Sequence, residues 1–191
     1  MSAGALGRGA PPRARRRGSG EPVTALAAAQ TGDQLLFADS LGQVFLLPAD
    51  GPPRLVTRSG APVEALTRHS PEHELYLGTA EGDVLVLRGS RLVPVSSLAR
   101  PISRLLRLEE LDMVAVATRE QLHVLRTNPT KHLLSIRLEH PVVDLARSED
   151  GHVLALVDAS GTLRLLPLER LIALAPKRLP SAAAALRPDK Q

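Results

Sequence analysis

Few residues of this chain are grouped as chemistry requires. His69 and His73 stand four apart in Thr67-Arg68-His69-Ser70-Pro71-Glu72-His73-Glu74, the spacing at which two helical imidazoles share a metal. Pro71 lies between them, in what the repeat pattern makes a surface loop. A metal needs ordered ligand geometry, so the pair is read as solvated and no metal site is expected. Asp39-Ser40-Leu41-Gly42 and Asp158-Ala159-Ser160-Gly161 each set one carboxylate and a hydroxyl in a tight turn. Calcium takes roughly six to eight oxygen ligands, so one carboxylate per turn is too few. These side chains are expected to fold back on the backbone of their own turn.

Nothing else resembles a catalytic constellation. No glycine-rich phosphate loop precedes a helix, no nucleophile elbow is present, and nothing groups Ser, His and Asp beyond their recurrence in loops. No catalytic residue and no cofactor is therefore expected. The chain has no cysteine, which excludes disulfides, thiolate chemistry and Cys-based zinc or iron–sulfur sites.

The most suggestive charged feature is Arg13-Ala14-Arg15-Arg16-Arg17. Arg13, Arg15, Arg16 and Arg17 could neutralise phosphates of nucleic acid or an anionic surface, with affinity falling steeply in salt. Pro11-Pro12 and Gly18-Ser19-Gly20 flank the run and mark a linker, so residues 1–20 are read as a disordered basic tail. The chain's three aromatics, Phe37, Phe45 and Tyr76, fall in expected strands, which gives base stacking little support.

The net charge of +4 hides a division. Residues 1–20 hold five arginines and no acid, while residues 21–175 hold 15 basic and 19 acidic residues. Residues 176–191, with Lys177, Arg178, Arg187 and Lys190 against Asp189, are expected to form a flexible basic tail. Its Ser181 to Leu186 stretch favours helix but is too short to hold one alone. No apolar run approaches the roughly 20 residues that span a bilayer. The first residues lack the apolar core of a secretory signal, so a cytoplasmic location is expected, or a nuclear one in a eukaryote.

The elements between the tails are organised by repetition. Pro-Val or Pro-Ile recurs at Pro22-Val23, Pro62-Val63, Pro101-Ile102 and Pro141-Val142, at spacings of 40, 39 and 40 residues. Leu26, Leu66, Leu105 and Leu145 follow in register. Next come apolar runs ending in Asp39, Thr79, Thr118 and Asp158, then turns carrying Gly42, Gly82 and Gly161, a glycine missing from the third repeat. A second run follows each turn: Val44 to Leu47, Val84 to Leu87, Leu122 to Leu125 and Leu163 to Leu166. A weaker fourth segment is seen at Arg54-Leu55-Val56, Leu92-Val93, Leu133 to Ile136 and Leu171 to Leu174.

Short runs bounded by Gly, Pro, Asp and Ser are strands, and the Gly-containing turn makes a hairpin of the middle two. The expectation is an all-β, propeller-like array of four blades, each of about 40 residues with four antiparallel strands. The blades fall at 21–60, 61–100, 101–140 and 141–175.

The fourth repeat resembles a WD repeat. His140 precedes the first strand, Ser148-Glu149-Asp150-Gly151 makes the first turn, and Asp158 to Leu166 matches the family's third-strand pattern. The second repeat keeps Ser70-Pro71-Glu72 and Thr79-Ala80-Glu81-Gly82-Asp83-Val84. The family's Trp is replaced by Leu47, Leu87, Leu125 and Leu166, and only His140 stands at its His position. The resemblance covers about residues 21–175 and implies a β-propeller acting as a non-catalytic scaffold for protein partners. A nucleic-acid or anion-binding accessory protein using the N-terminal arginines is the alternative. The family usually closes a ring of seven or so blades, which removes open edges. Four blades could form a compact ring, a half-propeller completed by a partner or second copy, or part of a longer protein. An incomplete ring that pairs its edges is the expectation.

Overall fold

The computed structural model describes residues 20–28, 34–68, 74–108 and 111–174. The tails expected at 1–20 and 176–191, Gly20 apart, lie outside these, as do His69 and His73. The described chain is all-β, in four antiparallel sheets of three or four strands.

The first sheet runs β1 (Val23–Ala28), β2 (Gln34–Asp39), β3 (Gln43–Pro48) and β4 (Arg54–Arg58). The second holds β5 (Val63–Arg68), β6 (Leu75–Thr79), β7 (Asp83–Arg88) and β8 (Arg91–Ser97). The third holds β9 (Ile102–Leu108), β10 (Met113–Thr118), β11 (Gln121–Thr127) and β12 (Thr130–Arg137). The fourth has only β13 (Val142–Arg147), β14 (Val153–Asp158) and β15 (Leu163–Pro167), followed by α1 (Leu168–Leu174). Strands within each sheet pair in chain order, and the first strands stand side by side, β1 by β5, β5 by β9 and β9 by β13.

Side chains alternate across a strand, and that period assigns each sheet one face toward the sheet before it and one toward the sheet after. Leu36, Ala38 and Val44 of the first sheet meet Val63, Leu66, Leu75 and Leu77 of the second in one core. Tyr76, Val84 and Val86 meet Ile102, Leu105, Val114 and Val116 in the next. Ala115, Ala117, Leu122 and Val124 meet Val142, Leu145, Leu154 and Leu156 in the third. The cores lie between sheets, so each sheet needs a neighbour to bury its apolar faces.

The fourth segment of the last repeat, expected as a strand through Leu171 to Leu174, is instead the helix α1. A short apolar run fits either period, and here the spacing of Leu168 and Leu171 suits a helix. Both leucines are buried in the core between the third and fourth sheets. Pro167 ends β15, Glu169 lies in the first helical turn where its charge favours the helix dipole, and the Leu168 amide donates to His152 O at 2.8 Å. The last sheet accordingly has three strands.

The hairpin turns explain the glycine column. Asp39 Oδ1 accepts from the Leu41 and Gln43 amides at 3.0 and 2.9 Å, and Asp158 Oδ1 from those of Ser160 and Thr162 at 2.9 and 3.2 Å. Thr79 Oγ1 accepts from the Asp83 amide at 3.0 Å. Gly42, Gly82 and Gly161 take positive φ of 73°, 95° and 82°, open to glycine at little cost. In the third repeat Thr118 Oγ1 accepts from the amide of Gln121, one position nearer. That loop is one residue shorter, so no left-handed position exists for a glycine to fill.

Candidate functional site

Arg13, Arg15, Arg16 and Arg17 lie outside the described residues. Asp39 and Asp158 serve their own turns, as the hydrogen bonds above show. The Ser160 hydroxyl, donating to Asp158, holds that carboxyl below the usual range against the opposing effect of burial. Among the described residues no three His, Cys, Asp or Glu gather as metal ligands.

A polar cavity opens where the four first strands converge. Each of these strands carries one extra residue in its pairing with the next strand, at Thr24, Glu64, Ser103 and Val143. A bulge re-aims its side chain, and Thr24, Glu64 and Ser103 line a cavity of about 330 Å³ together with Arg104 and Asp144. Arg104 Nε lies 3.7 Å from Asp144 Oδ1 across the mouth. Thr24 Oγ1 donates to Val63 O at 2.5 Å, and Ser103 Oγ to Ala117 O at 3.1 Å, so both hydroxyls are engaged in holding strands together.

Two polar clusters, one joining the second and third sheets and one within the third, were passed over in reading the sequence. Tyr76 donates to Glu74 Oε2 at 2.7 Å, and Arg88 Nε pairs with Glu74 Oε1 at 2.5 Å. Arg107 lies over the Tyr76 ring and donates to Met113 O at 2.6 Å. Burial, followed by the bond to Glu74, pushes the Tyr76 hydroxyl above its ordinary pKa. On the third sheet, His123 Nδ1 lies 3.1 Å from His132 Nε2 and 2.8 Å from Ser135 Oγ. Burial, then the charge of His132, lowers the pKa of His123. Among the described residues no carboxylate hydrogen-bonds to this Ser–His–His group.

The feature that stands out is at the two ends of the array. Val63, Ile102 and Val142 are 0–5% exposed where they face the preceding sheet, whereas Val23, in the same column of the first sheet, is 54% exposed. Leu66, Leu105 and Leu145 are 7–8% exposed, and Leu26 is 67%. Leu75, Val114 and Leu154 are at most 3% exposed, and Leu35 is 46%. On the face that looks toward the next sheet, Val44, Val84 and Leu122 are 0% exposed, and Leu163 of the last sheet is 62%. Val86 and Val124 are at most 2% exposed, and Leu165 is 63%.

The exposed columns are therefore the ones that repetition assigns to a neighbour. On the first sheet Phe37 and Phe45 sit opposite each other on that outer face, their rings stacked at 5.1 Å. On the last sheet Arg164, between Leu163 and Leu165, points the other way, 3.8 Å from Glu139 and from Asp158. The apolar face of this sheet is the open one. Glycine packing tells the same story. A Cβ on Gly42 would meet Ala61 O at 2.2 Å and one on Gly82 would meet Arg100 at 2.6 Å, each in the chain leading to the next sheet. A Cβ on Gly161 would meet nothing within 4 Å.

No protein-family model matches the chain, and no curated protein matches it in sequence. In three dimensions 1120 solved chains match it, so its fold is common and does not by itself select a function. One of them is the computationally designed Ika4 protein, with a TM-score of 0.65 and 16% identity over 78% of this chain and 93% of that one. At that identity the likeness concerns the fold alone.

Proposed function

We propose that the chain is a non-catalytic protein-interaction scaffold, a propeller-type array of the WD-repeat kind, whose two open end faces are completed by another protein surface. One observation carries the reading: four apolar columns buried at every internal sheet contact are exposed only on the first or last sheet, and the column of Leu165, half-buried at Leu46 and buried at Val86 and Val124, is open only at the last. Contiguous apolar surface of that kind marks interaction sites on folded proteins. Side-by-side first strands, four sheets at a period of about 40 residues and the WD-like fourth repeat support the propeller arrangement.

The test is comparative affinity capture with the full chain and two variants, Leu26→Asp and Leu163→Arg, each placing a charge on one end face. Partners held by the wild type should be lost from the variant altered at the face they occupy. Capture unchanged by both substitutions would sink the reading.

The arginine run favours a second reading, a nucleic-acid or anion-binding accessory protein. Duplex DNA or RNA retention that vanishes on deleting residues 1–20 and falls steeply with salt would support it. Retention unaffected by the deletion would remove the arm's role.

A further inference from the structure

We propose that the occupant of each end face is the opposite end face of a second copy of this chain, so that two copies pair head to tail. The inference rests on the reading above and names its partner.

The two faces are the two halves of a contact the chain already makes three times. In each internal core, the column that holds Leu163 meets the columns that hold Val23 and Leu26. Val44 shares a core with Val63 and Leu66. Val84 shares one with Ile102 and Leu105, and Leu122 with Val142 and Leu145. The open face of the last sheet, with Ala155, Val157, Leu163 and Leu165, repeats in type the Leu36, Ala38, Val44 and Leu46 set that packs on the second sheet. The outer face of the first sheet, with exposed Val23, Leu26 and Leu35 beside Phe37, which is 8% exposed, repeats the receiving set Val63, Leu66, Leu75 and Leu77.

A surface that fits a continuation of the same array fits a second copy by construction. The turn at Gly161 has the same room to receive the approaching strand that Gly42 and Gly82 give to theirs. Unlike faces meeting head to tail close when the rotation allows, and a closed pair forms two identical contacts at once. Stable interfaces bury about 1,200–2,000 Å² in total, and a pair closed at both ends gathers its area from two sheet contacts.

The experiment is the solution mass of the full chain by light scattering after size exclusion, over a range of concentrations. The wild type is expected at twice the chain mass of 20.4 kDa. Leu26→Asp and Leu163→Arg, each spoiling both contacts of a pair of its own kind, are expected at the single-chain mass. Mixed one to one, they should regain the doubled mass, because one contact then joins two intact faces and the other sets Asp against Arg. If circular dichroism shows either variant unfolded, Leu35→Asp or Leu165→Arg replaces it on the same face.

A wild type at the single-chain mass at every concentration overturns the proposal, as does a mass that climbs without limit. Folded variants that keep the doubled mass, or a mixture that stays single, overturn it too. The broader reading fails separately. A single-chain wild type whose partner capture is still abolished by Leu26→Asp or Leu163→Arg leaves the scaffold standing and removes only the self-pairing.

Discussion

The guanidinium carbon of Arg107 lies 5.6 Å from the centroid of the Tyr76 ring, joining a strand of the third sheet to one of the second. Both residues are buried, and Arg107 also reaches Asp112 Oδ1 at 3.2 Å. A charge at that depth is held by its hydrogen bonds and by the ring face, since burial alone opposes it. Arg107→Ala should destabilise the fold by about 2–3 kcal/mol, because it takes the buried donor from Met113 O and the cation from the Tyr76 ring, while the exposed Asp112 carboxylate returns to water. Tyr76→Phe keeps the ring and loses one hydrogen bond, costing about 1–2 kcal/mol. Urea unfolding of the two variants checks the order, and equal costs would contradict it.

The glycine column predicts an asymmetry along the array. Gly42→Ala and Gly82→Ala should each lower stability by well over the roughly 1 kcal/mol that a left-handed residue costs, because the new methyl group meets backbone as well. Gly161→Ala has the same φ penalty and open space around it, so about 1 kcal/mol is expected. Thermal melts of the three variants, followed by circular dichroism, provide the comparison.

Two leucines eight residues apart should behave oppositely. Leu171 of α1 is 4% exposed in the core between the last two sheets, and Leu171→Ala should cost about 2–4 kcal/mol. Leu163→Ala alters an open face and should change the unfolding free energy of a single chain by less than about 0.5 kcal/mol, while weakening the pairing of copies. Denaturant titrations at low and high chain concentration separate the two effects.

Stability should also depend on pH through His123. Its folded pKa lies below the ordinary imidazole value of about 6.5, so the unfolded chain binds the proton more readily. The contribution is complete above that value and is lost as pH falls through the lower, folded pKa. The urea midpoint should therefore decline as pH is taken down from about 6.5, and His123→Gln should flatten that part of the profile. An unaltered slope in the variant would assign the decline to other groups.

Much of the fold could be read from residue order alone because it is local. Pro-Val and leucine columns at a period of about 40, apolar runs of strand length and glycine turns are matters of neighbouring residues, and four sheets appear where they recur. The turn roles of Asp39 and Asp158 were legible for the same reason, since an Asx side chain bonds backbone two to four positions away. The last repeat was misread because an apolar run of a few residues fits two periods, and only the core between the third and fourth sheets settles it as a helix. The bond from Tyr76 to Glu74 spans two residues, yet Arg107 meets the Tyr76 ring across sheets, at a separation no pattern encodes.

The sequence by itself determined which columns are apolar, and therefore that every sheet presents two faces in need of cover. It could not say which faces find that cover. Leu26 and Leu66 are the same residue at the same place in the repeat, yet one is exposed and the other buried. Only the tertiary arrangement decides between them, because burial belongs to the neighbouring sheet rather than to the residue. The ends of this array lack that neighbour among the described residues.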